Sequence, residues 1–320
     1  MNLINFKTHF VKEWTVQALR NYFIDHNFHE VETPTLIPTI PLEANLYPLQ
    51  THWSEKNIDL YLPTSPESSL KKLISQGIGN CFAISKVFRD LENIGPTHNL
   101  EFAMLEWYEM DKNYRDIANT TQKLVLNIYH SILKKQNKSI TNLLTYKNKS
   151  IDLSPPWHFF TLKELFEKFA NIDLSKNLTT SEIIATAKSK GYNVDNITTW
   201  EPLYTQIFIN EIENNLPQDK PVIIFDYPTQ TSPFCLPCPE PAKGFSQRFE
   251  FYIGGMEIGN AYSESTDPKI LKENFECYFL PTCAGIGLGV DRLAMLFADT
   301  TQIENVIYFP TSSFLKNKKI

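Results

Sequence analysis

Two arginines and three glutamates carry the chemistry in this sequence. Arg89 closes the alternating stretch CFAISKVFRD, and a strand end holds a guanidinium as a rigid fork suited to phosphate. The same arginine could equally pair with Asp90 or Glu92 at the surface. Arg292 stands in GIGLGVDR, where Gly285, Gly287 and Gly289 leave one strand face without side chains. A flat ligand can reach the backbone there, or two segments can cross closely. Asp291 then opens a helix, and its first-turn dipole adds to the pull of Arg292 on an anion. The glycines fall inside the strand rather than at a turn, so they are not a dinucleotide fingerprint.

Glu250, Glu257 and Glu264 are spaced evenly around Gly254-Gly255, the predicted turn of a two-residue hairpin. In that hairpin Tyr252 faces Glu257, and Glu250 lies diagonally on the same face. Two carboxylates that close repel unless a cation stands between them, and Mg²⁺ carrying nucleotide phosphates is the natural candidate. A solvated face would leave them without a role. Strand parity puts Glu264 on the opposite face unless Gly259 or Asn260 introduces a bulge. Cys235 and Cys238 form a CxxC, but Cys277 and Cys283 are too widely spaced for a good second zinc pair, so free thiols are expected. No G-x-S-x-G elbow and no P-loop occur.

The elements that must position these residues follow from periodicity. Phe10, Trp14, Leu19 and Phe23 predict an N-terminal helix, Val31 a short strand, and Pro34 and Pro38 exclude a helix after it. Ser65 is the expected N-cap of a helix with Pro66 at its first position. CFAISKVFRD and EFAMLEWYEM predict two strands joined by the polar loop LENIGPTHNL. Residues 113–216 read as a polar helical insertion. PVIIFDYP, the glutamate hairpin, GIGLG and NVIYF read as further strands. The expectation is an α+β fold, one mostly antiparallel sheet with flanking helices and an insertion. A doubly wound parallel sheet would need a regular strand–helix alternation that is not seen.

Composition agrees with a globular chain. Of 320 residues, 42% are hydrophobic and 21% charged, enough apolar material to exclude dominant disorder. No apolar run is long enough for a membrane span, and MNLINFKTHFVKEW lacks a signal-peptide core, so a cytoplasmic location is expected. A net charge of -6 argues against a surface built wholly to hold nucleic acid.

Taken together and in order, these segments resemble a known family. FHEVETPTL resembles motif 1 of the catalytic domain of class II aminoacyl-tRNA synthetases, with Pro34 at a dimer interface. FRDLENIGPTHNLEFAMLEWY resembles motif 2, and GLGVDRLAML resembles motif 3. TSPESSLKKL, RFEFYIGGMEIGNAYSE and the final VIYFP are similar to the lysyl-tRNA synthetase variety. Motif 1 begins by residue 28. Residues 1–320 are therefore expected to be a single catalytic domain without the anticodon-reading OB-fold. That resembles the stand-alone paralogues that ligate lysine, usually (R)-β-lysine, onto a lysine of elongation factor P. Ser65 in TSPE also looks like that group.

The resemblance implies an AMP-forming ligase that uses ATP and Mg²⁺. Arg89 on the α-phosphate and Arg292 on the γ-phosphate would be catalytic. Phe102 would stack on adenine with Asn99 near its edge, and His98 would touch phosphate. Asp90, Glu92, Ile258 and Gly289 would complete the ATP site. Glu250 and Glu257 would hold Mg²⁺. Glu67, beside Ser65 and Pro66, would hold the substrate amino group, and Glu264 with Tyr108 the distal ammonium. Gly287 would leave room at the pocket floor. The implied partners are lysine or β-lysine, elongation factor P and a second copy of the chain, with neither tRNA nor a membrane. The alternative is a truncated lysyl-tRNA synthetase-like enzyme that charges a tRNA or forms only the adenylate. Departures from the family pattern are a motif 2 loop one residue longer, Ala261 in place of glycine, and Gly287 where β-lysine ligases tend to carry alanine. They leave α-lysine and β-lysine both open.

Overall fold

The computed structural model describes residues 6–39, 46–91 and 94–315, so Glu92 lies outside the described residues. Helix α1 (Lys7–Asp25) leads into β1 (His29–Glu30) and a small hairpin of β2 (Gln50–Trp53) and β3 (Ile58–Tyr61). Helix α2 (Glu67–Ser75) precedes β4 (Cys81–Phe88) and β5 (Glu101–Met110). Helix α3 (Tyr114–Lys135) follows, then the hairpin β6 (Leu143–Tyr146) and β7 (Lys149–Asp152), and β8 (His158–Thr161). Next come α4 (Leu162–Leu165), α5 (Thr180–Ser189), α6 (Glu201–Ile207) and β9 (Val222–Pro228). The chain ends with β10 (Phe245–Ile253), β11 (Met256–Ser263), α7 (Pro268–Phe275), β12 (Cys283–Gly289), α8 (Val290–Phe297) and α9 (Thr311–Leu315).

Eight strands form one sheet in the order β1-β4-β5-β12-β11-β10-β9-β8. All pairs from β4 to β9 are antiparallel, while the outermost pairs, β1 with β4 and β8 with β9, are parallel. The expected α+β architecture is what the chain adopts. Strand alternation gives the sheet two unlike faces. Leu105, Trp107, Phe249, Phe251, Ile286 and Leu288 pack on one face against α1, α3 and α8 as the main core. The residues between them, among them Glu106, Tyr108, Glu250 and the three glycines of β12, look the other way. That face is polar in the middle, and there the sheet carries a site rather than a core.

Three details differ from the sequence reading. Residues 113–216 are not wholly helical: β6 and β7 pair through a Lys147-Asn148 turn at positive φ, and β8 joins the edge of the large sheet. Within that stretch α3 belongs to the main core, while α4, α5 and α6 pack as a second core on β9 and Tyr252. NVIYF is not a strand, because Ile303–Asn305 forms a single 3₁₀ turn after α8. Helix α2 starts one residue later than expected, with Pro66 as its N-cap and the Ser65 hydroxyl accepting from the Glu67 amide at 3.3 Å.

Candidate active site

The hairpin of β10 and β11 turns at Gly254-Gly255, both at positive φ, as the sequence predicted. Tyr252 faces Glu257 as expected, but Phe251 then faces Gly259, so Ile258 is the extra residue of a bulge. Asn260 therefore stands opposite Glu250, and strand alternation carries Tyr262 and Glu264 onto the same face. One bulge thus brings all three glutamates into a single cavity of about 560 Å³.

The cationic end of the cavity is built by the β4–β5 loop and the start of α8. Arg89 lies over the Phe102 ring at 5.3 Å and donates weakly to the Thr64 carbonyl at 3.4 Å. Arg292 donates to the Glu257 carbonyl at 3.0 Å and to His98 Nε2 at 2.7 Å. A guanidinium can only donate, so His98 Nε2 must carry a lone pair and the proton sits on Nδ1. Asn99 spends both ends of its amide on the protein: Nδ2 on the Glu101 carbonyl at 2.6 Å, Oδ1 on the Thr311 amide at 3.0 Å. It anchors the loop as well as lining the cavity. Asp90 and Pro66 do not line the cavity. Asp90 instead caps the Leu91 amide at 2.9 Å, and its own amide bonds to Tyr47.

In the middle of the cavity Glu250 is heavily engaged. Its Oε2 accepts from the hydroxyls of Tyr227 at 2.8 Å and Tyr252 at 2.6 Å, and its Oε1 accepts from Arg248 at 2.6 Å. Arg248 also donates to Asn260 Oδ1 at 2.9 Å, which leaves the Asn260 amide nitrogen as a donor. Glu257 sits nearer the mouth, its side chain 41% exposed, with Arg292 at 3.8 Å. Burial first, then the charge of Glu250, push its carboxyl up to about 7 against Arg292. Solvent at the mouth moderates that rise.

The floor gathers three carboxyl groups. Glu67, Glu106 and Glu264 are all buried there with Tyr108 and Tyr262. Tyr262 donates to Glu67, and Tyr108 to Glu106 at 3.4 Å. Lys71 places its Nζ 2.6 Å from Glu67 and 2.6 Å from Glu264. Burial pulls the Lys71 ammonium down, but the two carboxylates overcome it and the ammonium stays charged. Burial pushes Glu264 up to about 8 although Lys71 opposes it. The two shifts are compatible, because one cation cannot keep two buried carboxylates fully ionised.

The β12 glycines face the cavity with unequal clearance. A Cβ on Gly285 would meet the Tyr108 ring at 2.4 Å, so that glycine is required by packing. A Cβ on Gly287 would lie 3.6 Å from Glu106 and 3.7 Å from Met104, which is ordinary contact. Gly289 caps α8 and has similar room. Five residues of the site escaped the sequence reading: Lys71, Glu106, Arg248, Asn260 and Tyr262. Four of them had a signal in their spacing. Lys71 is one helical turn from Glu67, Glu106 lies two residues from Tyr108 on one strand, and Asn260 and Tyr262 alternate with Glu264. Among the described residues no three His, Cys, Asp or Glu side chains cluster as a metal cage, and all five cysteines are free thiols.

The family model for tRNA synthetases class II (D, K and N) matches residues 6–278 and 276–313. The chain belongs to this class II family. Among its relatives is the lysine–tRNA ligase of Bacillus subtilis, 32% identical over 92% of this chain and 62% of the relative. That of Nostoc punctiforme is 32% identical over 92% and 55%, and that of Blochmanniella pennsylvanica 33% over 95% and 63%. This class II chain thus spans less than two thirds of the length of the curated relatives it matches. No helix among its described residues is long and apolar enough to cross a membrane.

Proposed function

We propose that the cavity activates a diamino acid, lysine or (R)-β-lysine, with ATP to form an aminoacyl-adenylate. The observation that carries this is the polarity of one continuous cavity: Arg89, His98 and Arg292 at one end, Glu67, Glu106 and Glu264 at the other. Triphosphate suits the first end and ammonium groups the second. The substrate carboxylate would then lie between them, beside the Asn260 amide and within reach of an α-phosphate held by Arg89. Its oxygen attacks the α-phosphorus and pyrophosphate leaves, with Arg89 and Arg292 meeting the charge that builds on the phosphates. Phe102 would supply the stacking face for adenine.

Glu250 and Glu257 fit a metal that arrives with the nucleotide. Glu250 keeps acceptor capacity only on Oε1, so two carboxylates cannot form a resident cage, and Mg²⁺ bound here would draw its other ligands from phosphate and water. When bound it would neutralise phosphate charge.

The proposed acceptor is a lysine side chain of elongation factor P, whose amine attacks the adenylate carbonyl and releases AMP. Ser65 at the cavity wall supports that reading. The second reading, transfer to a tRNA or release of the adenylate alone, is favoured by the lysine–tRNA ligase relatives and by Gly287. Pyrophosphate exchange into ATP that depends on lysine or β-lysine tests activation. A mass gain of one lysyl group on purified elongation factor P, set against charging of lysine tRNA, separates the acceptors. We place the chain in a homodimer built on the motif 1 segment around Pro34. Sedimentation at micromolar concentration should then show a species near twice the chain mass of 37.0 kDa.

A further inference from the structure

Behind the floor of the cavity, out of contact with its space, lies a cation that this reading does not use. Lys71 follows Glu67 by one turn on α2, and its side chain is only 1% exposed. The ring of Phe275 closes over Nζ at 3.8 Å, with Tyr262 at 5.3 Å and Phe234 at 5.8 Å. Lys71 makes two carboxylate contacts of equal length. Glu67 Oε1 receives a directed hydrogen bond from Nζ at 2.6 Å and a second from the Tyr262 hydroxyl. Glu264 Oε2 is as close to Nζ, at 2.6 Å, and Lys71 is the cation that faces it. Glu264 also lines the cavity, so a carboxylate held by Lys71 is presented to whatever fills the floor.

The other groups facing Glu264 are not cations. Glu106 and Tyr108 come from β5, Tyr262 from β11, Cys283 from β12 and Cys235 from the loop before β10. The Tyr262 and Tyr108 hydroxyls donate to Glu67 and Glu106 instead, and burial keeps the two thiols neutral, so none of these groups brings a positive charge. Lys71 is therefore the cation against which Glu67 and Glu264 are arranged.

We propose that Lys71 is a positioning residue for substrate selection: its ammonium holds Glu67 and Glu264 side by side on the cavity floor, where they face the ammonium of a diamino acid. This rests on the diamino-acid reading above. Without Lys71 the two acids share a proton, one of them presents a neutral carboxyl, and the preference for a cationic substrate falls.

The test uses the full chain with Lys71→Met, which keeps length and removes charge, and Lys71→Arg, which keeps charge. In the substrate-free protein, carboxyl-carbon NMR should show the Glu264 proton leaving about one pH unit or more higher in Lys71→Met than in wild type. In pyrophosphate exchange, discrimination between lysine and norleucine, which lacks the distal ammonium, should fall roughly tenfold or more through KM for lysine. Its kcat should stay within about threefold, and Lys71→Arg should recover both readouts. An unmoved titration overturns the proposal, and so does a moved titration with unchanged discrimination. If the titration moves as expected but wild type activates neither lysine nor β-lysine, the proposed function is wrong and the counter-ion role stands. Should Lys71→Met not fold, Glu264→Gln reads the same coupling. Its discrimination between lysine and norleucine must then fall at least as far, and unchanged discrimination overturns the proposal.

Discussion

Glu67 and Glu264 stand across a lysine, whereas Glu250 and Glu257 do not. Both pairs line one cavity, and both face the problem that close carboxylates repel. The inner pair solves it with Lys71, fixed by the fold and sealed under Phe275. The outer pair divides the problem. Glu250 is held by Arg248 and two tyrosine hydroxyls, while Glu257 sits at the mouth with its carboxyl raised toward neutrality by burial and by Glu250. A built-in cation suits an end that must read the substrate the same way each time. An end without one suits a cation that enters and leaves with the nucleotide, which is the proposal made for Glu250 and Glu257.

The largest expected effect separates the two members of the outer pair. Arg248 and Glu250 are only 15% and 13% exposed. Glu250→Ala strands a buried guanidinium and two hydroxyls, and should cost about 3–5 kcal/mol of stability. Glu257→Ala removes a half-exposed group and should cost less than about 1 kcal/mol, while still impairing adenylate formation. Urea denaturation of both variants checks this, and equal losses would show that Glu250 is not the structural hub. Next is Arg89→Ala. The arginine sits half-buried at the end of β4 with a long hydrogen bond to Thr64, outside the packed core, so the fold should persist. Pyrophosphate exchange should nonetheless fall by roughly 10²–10³. Exchange near the wild-type rate would remove Arg89 from the proposed chemistry.

Glu264→Gln probes the inner pair in two directions at once. Activation of lysine should weaken by about 1.5–3 kcal/mol, the range for a hydrogen bond to a charged group. Stability should move the other way. The folded protein holds Glu264 at about 8, above its ordinary 4.5, so ionisation opposes folding. The favourable contribution is complete below the ordinary value and is lost as pH rises through about 8. Glutamine has no such slope. Melting curves from pH 5 to pH 9 should therefore show the variant gaining on wild type as pH rises, by ~1–2 kcal/mol. Parallel curves would mean that Lys71 alone keeps Glu264 ionised.

Much of this arrangement was legible in the sequence, and the misses have physical causes. The strands β4, β5, β10 and β11 announced themselves by alternation, and Gly254-Gly255 fixed the hairpin register. The face on which Glu264 lies was not legible, because parity is reversed by a one-residue bulge and Ile258 carries no turn signal. NVIYF was misread since its apolar run matches a buried strand as well as a turn packed under α8. Residues 113–216 concealed β8, whose HFFT is too short to show a period. Lys71 was overlooked because a lysine on an amphipathic helix is ordinarily solvated, and only the fold reveals that Glu264 lies on its other side.

The smallest expected effect is the one that bears on the substrate itself. Gly285 and Gly287 both face the floor from β12, two residues apart. Gly285→Ala drives a methyl into the Tyr108 ring at 2.4 Å and should destabilise the fold by about 1–3 kcal/mol. Gly287→Ala meets Glu106 and Met104 at ordinary contact distance, so its stability should match wild type within ~0.5 kcal/mol. The added methyl nevertheless occupies space beside Glu106, at the end of the cavity where an amino group would lie. β-Lysine carries that amino group one carbon farther from its carboxylate than lysine does. A single methyl is worth about 1 kcal/mol in a pocket of this kind, so the kcat/KM ratio of β-lysine to lysine should rise severalfold in Gly287→Ala. Steady-state exchange with both isomers, on wild type and variant, measures it. A ratio that stays fixed would take selection away from position 287 and place it on Ser65 or on the Glu67–Lys71–Glu264 floor.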